Sequence, residues 1–180
     1  MREITLTQGF VTWVDDADYE CLNQYKWHAQ IIRKYGRPDL VYAARAVRDD
    51  SKRSGKRRVY MHRAISGCTP LVDHKNGNGL DNQRSNLRPA TVGQNKVNQV
   101  FISKGTTSKY KGVRRVKGHV SKPWIATIMT SGISTYLGYF ANEEDAARAY
   151  DEAAMRIHGE FARFNFPEAV GGLDGRRSCE

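Results

Sequence analysis

The sequence predicts an α+β chain whose two halves differ in character, and three observations carry this reading. Short runs rich in β-branched and aromatic residues recur between Gly, Asn and Pro, the pattern of strands and turns. Later, Ala146, Ala149, Tyr150, Ala153, Ala154 and Ile157 recur at helical spacing. Between the halves, residues 99–107 are polar and hold Gly105, Thr106 and Thr107, the composition of a linker. The 180 residues allow one ordinary domain or two small ones.

Residues 1–58 read as β-rich. Ile4, Leu6, Phe10, Val11 and Trp13 surround Gly9 and suggest a hairpin. Asp15, Asp16 and Asp18 put acids where a helix N-terminus favours them, with Tyr19, Leu22 and Tyr25 as its apolar face. Strands are expected around 26–33 and 40–47, then a basic loop over 52–58 centred on Gly55. In the segment 59–98, a strand over 59–65 runs into a short helical turn. A short strand follows over 71–74, then a Gly/Asn-rich turn over 75–80, and 81–98 is a loop leading into a helix. The last unit covers 108–167, with strands at 110–116, 124–130 and 135–139. Asn142, with Asp145 three residues on, caps a helix that Gly159 ends. Phe161, Phe164 and Phe166 fold back onto the core, and 168–180 is a flexible tail.

Charge placement narrows the function. The chain carries 29 Lys+Arg against 19 Asp+Glu, net +10. No acidic residue lies between Asp81 and Glu143, but ten basic ones do: Arg84, Arg88, Lys96, Lys104, Lys109, Lys111, Arg114, Arg115, Lys117 and Lys122. A one-sign segment of this length points to a polyanion, nucleic acid first. No apolar run approaches the ~20 residues of a membrane span, and the N-terminus has no signal-peptide stretch, so no membrane partner is expected and an intracellular place is. Cys21, Cys68 and Cys179 are too scattered for a zinc knuckle or a disulfide framework.

The chemistry concentrates in 72–95. Cutting a phosphodiester needs a base to activate water and a cation to hold the phosphate. Asp73 offers a hard oxygen, suited to magnesium or manganese. His74, beside it at a strand end, offers an imidazole near neutral pKa. Asn86 comes twelve residues after His74 and can tie the loop through its amide; Asn95 comes twenty-one after and offers a neutral oxygen. Arg63, on the preceding strand, could hold a phosphate, and His62 is divided between a core and a site role.

The string Val72-Asp73-His74-Lys75-Asn76-Gly77-Asn78-Gly79-Leu80-Asp81-Asn82, then Ser85-Asn86-Leu87-Arg88 and Gln94-Asn95, resembles the HNH homing endonucleases of phages and mobile introns. The likeness covers roughly 59–98. It implies a ββα-metal fold of two strands and a helix; residues 1–58, outside the likeness, are expected to brace it, with DNA contact as the alternative. It also implies His74 as general base, Asp73 and Asn95 as ligands of one divalent ion, Mg2+ or Mn2+, and Asn86 as the structural Asn. Asn95 stands where many members have His, as in the HNN variant, which favours magnesium or manganese over zinc.

Five blocks in the second half resemble the Apetala/ethylene-response-factor DNA-binding domain of plant regulators: Tyr110–Arg115, Trp124–Ile128, Tyr136–Phe140, Glu144–Asp151 and Phe164–Pro167. The resemblance implies a three-stranded antiparallel sheet packed on one helix, its outer face entering the major groove of double-stranded DNA. Positions matching contacts are Lys111, Arg114, Thr127, Met129, Ser134, Tyr136 and Tyr139, with Arg115 a further basic candidate. Alternation along a regular strand puts Arg114 and Arg115 on opposite faces, and contacts from both Lys111 and Arg114 would require a bulge or strong twist near Gly112. Plant domains have Arg, Glu and Trp at Met129, Thr127 and Tyr136, so their GC-box preference does not carry over. Trp124 and Ile128 are expected on the helix side.

The expectation is a metal-dependent DNA endonuclease, nicking and monomeric, with a dimer as the alternative. Its first half cuts and its second anchors, in a bacterial or phage-infected cytoplasm. The competing readings are a DNA-binding regulator with an inactive nuclease part, which the presence of Asp73, His74 and Asn95 opposes, and an RNA-associated protein, which explains neither motif.

Overall fold

The computed structural model describes residues 1–33, 39–67, 71–99 and 107–170. Most of the expected linker and of the tail, with Cys68 and Cys179, lies outside the described residues. The contacts form two compact units, Met1–Asn95 and Lys96–Glu180. The architecture is mixed α and β, with four small sheets among the described residues, all antiparallel.

In the first unit, β1 (Arg2–Thr5) and β2 (Val11–Val14) form the expected hairpin around Gly9. Helix α1 (Asp16–Asn23) follows Asp15. Strands β3 (His28–Ile32), β4 (Leu40–Arg48) and β5 (Lys56–Tyr60) make a meander in that order. β5 runs directly into α2 (Met61–Ser66). Then come β6 (Val72–His74), its partner β7 (Leu87–Pro89) and the start of α3 (Val92–Asn98), whose last three residues belong to the second unit. The core joins Ile4, Leu6 and Val14 of the hairpin to Leu22, Trp27, Ala29, Ala43, Met61 and Ile65. Burying these apolar side chains ties the hairpin, meander and both helices into one body.

Four details differ from the sequence reading. Tyr25 lies beyond α1 and is exposed, with the Arg45 guanidinium 3.7 Å above its ring. Trp27, not Tyr25, enters the core, and its Nε1–H donates to Leu22 O at 2.8 Å, so the indole buries without an orphaned donor. The basic stretch expected as a loop is partly strand: Arg57 and Arg58 sit on β5, an edge strand, where exposed charge discourages further pairing. Within the expected loop 81–98, Leu87–Pro89 pairs with β6.

In the second unit, β8 (Val113–Arg115), β9 (Trp124–Thr130) and β10 (Ile133–Phe140) lie in the order β10-β9-β8. The 16-residue α4 (Glu143–His158) runs from Asn142 to Gly159 as expected, although Asn142 spends its side chain on Asp145, at 3.0 Å. Ala146, Ala147, Ala153 and Ala154 are buried against Val113, Ala126 and Ile128. Their small size lets the helix backbone come close to the sheet, which is why Gly112 cannot carry a side chain. A Cβ there would overlap the Tyr150 ring and lie 2.7 Å from Thr127 O, and its φ is +76°. Buried Asp151 accepts the N–H groups of Asn165 and Phe166, both at 2.8 Å, and so pins the segment after α4.

Candidate functional site

β6 ends in Asp73 and His74, both buried. The register sets Asp73 opposite Arg88 and His74 opposite Leu87. Arg88 donates Nε–H and Nη2–H to Asp73 Oδ2 at 3.0 and 2.8 Å. Arg88 is as buried as its partner, so it is not a surface charge of the basic segment. Arg84 is also engaged internally, at 2.7 Å from both Asp18 oxygens, but remains exposed.

The tautomer of His74 follows from a chain of hydrogen bonds. The Thr12 hydroxyl donates to Leu80 O at 2.6 Å, so its lone pair faces Asn82, whose Nδ2 donates to it at 2.7 Å. That fixes the Asn82 amide with Oδ1 toward His74 Nε2, 3.3 Å away. Nε2 therefore carries the hydrogen and Nδ1 the lone pair. Burial pushes the His74 pKa down, against the pull of Asn82, Asp73 and Asp81. A neutral ring with a defined lone pair has the properties of a general base.

Two aromatic neighbours and a second histidine back this ring. His62, on α2, meets His74 edge to face at 5.1 Å and stacks on Tyr60 at 5.5 Å. Tyr42 lies 5.9 Å from His74. His62 is buried, its Nδ1 has no hydrogen-bond partner among the described residues, and its pKa is lowered to about 3 by burial, His74 and Arg63. The structure thus gives His62 a place against the site. Arg63 lies on α2, not on a strand, with its guanidinium 5.8 Å from the Tyr60 ring, and no hydrogen bond links it to Asp73 or His74.

Asn86 knits the turn. Its Oδ1 accepts the Asn76 N–H at 3.1 Å, and its Nδ2 donates to Asp81 O at 2.8 Å and Asn76 Oδ1 at 3.1 Å. Asn76 in turn donates to Asp81 Oδ2 at 2.7 Å. The turn packs so closely on β4 that a Cβ at Gly79 would lie 2.5 Å from Val41 O. The N-terminal hairpin holds the far side. Trp13 N–H donates to Leu80 O at 2.9 Å, Asn82 N–H to Trp13 O at 2.8 Å, and Arg84 N–H to Asp15 Oδ2 at 2.8 Å. Asn95 lies on α3, half-buried. Thr91 and Gln94 start that helix with a reciprocal capping box, 2.8 and 3.2 Å. Among the described residues no three His, Cys, Asp or Glu side chains cluster as a metal centre.

Sequence reasoning missed Thr12, Asn82 and the pairing of Arg88. Thr12 had a readable signal: it alternates with Val14 on the buried face of β2, a polar residue at an apolar position.

In the second unit, Arg114, Thr127, Met129, Ser134, Tyr136 and Tyr139 share the sheet face away from α4. Thr127 pairs with Tyr136, Met129 with Ser134, and Arg114 with Ile125, itself opposite Tyr139. Tyr136 and Tyr139, three apart, share a face because the register shifts between Tyr136 and Gly138. Their rings lie 5.5 Å apart. Arg115 pairs with Trp124 on the other parity, as simple alternation requires. Lys111 is elsewhere: its half-buried ammonium donates to Val97 O and Gln99 O, and burial and Arg163 lower its pKa to about 8. Ile128 is buried with Tyr150, Ala153 and Ala154 of α4, and Trp124 packs against Ala146 and Ala147.

No protein-family model matches the chain. Among curated proteins, it is 32% identical over 161 residues to an uncharacterized HNH endonuclease of Acanthamoeba polyphaga mimivirus, covering 88% of this chain and 76% of that protein. It is 38% identical over 85 residues to an AP2/ERF and B3 domain-containing protein of Oryza sativa subsp. japonica, covering 46% of the chain and 23% of that protein. It is 46% identical over 66 residues to an ethylene-responsive transcription factor of Arabidopsis thaliana, covering 36% and 25%. The chain thus spans about a quarter of either plant protein. The viral likeness runs through most of both chains, and with the Asp73–His74 geometry it places this protein in a family: the chain belongs to the HNH endonucleases.

Proposed function

We propose that this chain is a divalent-metal-dependent DNA endonuclease that nicks double-stranded DNA, with the first unit cutting and the second anchoring it. The observation that carries the reading is His74: buried, held by Asn82 at Nε2, with its lone pair at Nδ1 and a carboxylate next to it in sequence. In the proposed step, His74 Nδ1 takes a proton from water as the water oxygen attacks phosphorus, the opposite P–O ester bond breaks, and the leaving deoxyribose oxygen takes a proton from solvent. Asn82 and Thr12 hold the imidazole in that tautomer, and Asn86 keeps the turn between the strands in shape.

Asp73 and Asn95 would hold one Mg2+ or Mn2+ by donor chemistry, since both offer hard oxygens. Bound there, the ion would polarise the phosphate and stabilise the leaving oxygen. Two protein ligands leave most of the coordination shell to water and phosphate, so affinity without DNA should be low.

The plant transcription-factor relatives support double-stranded DNA as the ligand of the second unit. Tethering it to the cutting unit raises the effective concentration of substrate. One such site per chain supports nicking by a monomer. No helix among the described residues is long and apolar enough to cross a membrane. The test is supercoiled-plasmid cleavage with Mg2+, Mn2+ or EDTA. Wild type should give metal-dependent open circle, and His74→Ala should lose about 100–10,000-fold in rate while retaining DNA affinity. Equal cutting by the variant would remove His74 from its role, and linear product would replace nicking by paired cuts. Tight binding without cutting would leave a DNA-binding regulator.

A further inference from the structure

Among the described residues eight large hydrophobic side chains are exposed, and two of them, Met129 and Tyr136, are diagonal neighbours on the outer face of the hairpin β9–β10, with exposures of 56% and 55%. Ile133, opposite Thr130, has the other parity and does not belong to this face. Exposed apolar side chains brought together on one sheet face call for a partner. Met129 and Tyr136 belong to one face, since their cross-strand partners Ser134 and Thr127 share it. Tyr139 extends the patch, with its ring stacked on His119 at 4.4 Å.

The charge around this patch selects the partner. All three strands and their connections fall in the stretch free of acidic residues; Arg114 lies on the face, and Lys117 and Lys122 stand on the connection between β8 and β9. The partner is therefore a polyanion with apolar groups presented in register. Within the major groove, a carboxylate is the acceptor for the cytosine amino group, and none is available on these strands. Arginine addresses guanine or phosphate, whereas an apolar side chain addresses the thymine 5-methyl group.

We propose that the outer face of β8–β10 reads thymine methyl groups in the major groove, with Met129, Tyr136 and the Thr127 methyl as the reading groups and Arg114 beside them. This rests on the reading of the second unit as a DNA-binding module and specifies what that module recognises.

The experiment uses the full chain with EDTA present and selects bound duplexes from a randomised pool. A recovered duplex is then remade with deoxyuridine replacing thymidine at each protected position in turn, which removes only the methyl group. Expected are A·T pairs at fixed positions and about a fourfold loss of affinity per contacted methyl. Met129→Ala, at an exposed position, should bind more weakly and lose its sensitivity to deoxyuridine at one position, since the paired losses are not additive. Duplexes recovered but indifferent to deoxyuridine everywhere, or carrying only G·C pairs at the protected positions, would overturn the methyl reading and leave DNA binding intact. No duplex retained even at low salt would overturn the DNA-binding module and this inference with it.

Discussion

The two units organise their working residues by opposite means. In the second, an alanine seam on α4 presses against β8–β10, and on the face turned away from the helix Arg114, Met129, Ser134 and Tyr136 are left to solvent. Packing alone decides which residues point outward. In the first, the candidate residues Asp73, His74 and Asn86 are themselves buried, and hydrogen bonds hold them: Arg88 on Asp73, Asn82 and Thr12 on His74, Asn86 on the turn. A surface that reads a ligand tolerates substitution at each position separately. A buried polar network does not, because losing one member strands the others.

Four substitutions test that contrast, in decreasing order of expected effect. Arg88→Ala leaves a buried carboxylate without its ion pair and should destabilise the first unit by about 3–5 kcal/mol, read by denaturant unfolding. Stability within error of wild type would show that Asp73 does not depend on the pair. Gly112→Ala forces a methyl into the Tyr150 ring at positive φ, and about 2–4 kcal/mol should be lost from the second unit alone. Calorimetry should show its transition moving while that of the first unit stays, and a shared shift would contradict two separately stabilised units. Asn82→Ala should cost about 1–3 kcal/mol through the unpaired Thr12 and His74 groups. It should also slow cleavage about 10–100-fold. A variant less stable but equally fast would reduce Asn82 to packing.

The smallest effect concerns acid. His62 has a folded pKa of about 3 against an ordinary 6.5. With the folded value depressed, its stabilising contribution is full above pH 6.5 and is lost as pH falls toward 3. His62→Phe keeps the ring and removes the titration, so the first unit of the variant should resist acid further down that window. Coincident acid-unfolding curves for the two proteins would assign the sensitivity elsewhere, His74 being shifted in the same direction.

Legibility followed the same divide. The helix α4, its flanking Asn142 and Gly159, and the inward Ile128 follow from periodicity and propensity, because neighbours in sequence are the neighbours that matter. Tyr136 and Tyr139 resisted that logic, since a register shift puts an odd spacing on one face. In the first unit, Asp73, His74 and Asn86 stood out as a spaced set, but their supports did not. Thr12 and Asn82 meet across 70 positions of chain, and no local pattern encodes such a contact. Arg88 read as one more positive charge in a basic run, whereas the register of β6 on β7 makes it the partner of Asp73. Lys111 matched a contact position, yet its ammonium is spent on the carbonyls of Val97 and Gln99.

The contact between Thr12 and Asn82 has a consequence for synthesis. The tautomer of the proposed base is set by a residue near the start of the chain meeting one far downstream, a closure whose entropic cost must be met before the contact forms. A nascent polypeptide that has exposed only its first seventy residues contains no Asp73, His74 or Asn82. A misfolded or truncated copy in which the N-terminal hairpin fails to dock leaves the imidazole unsupported. The support of His74 is therefore complete only in a chain that holds both the N-terminal hairpin and the turn that carries Asn82.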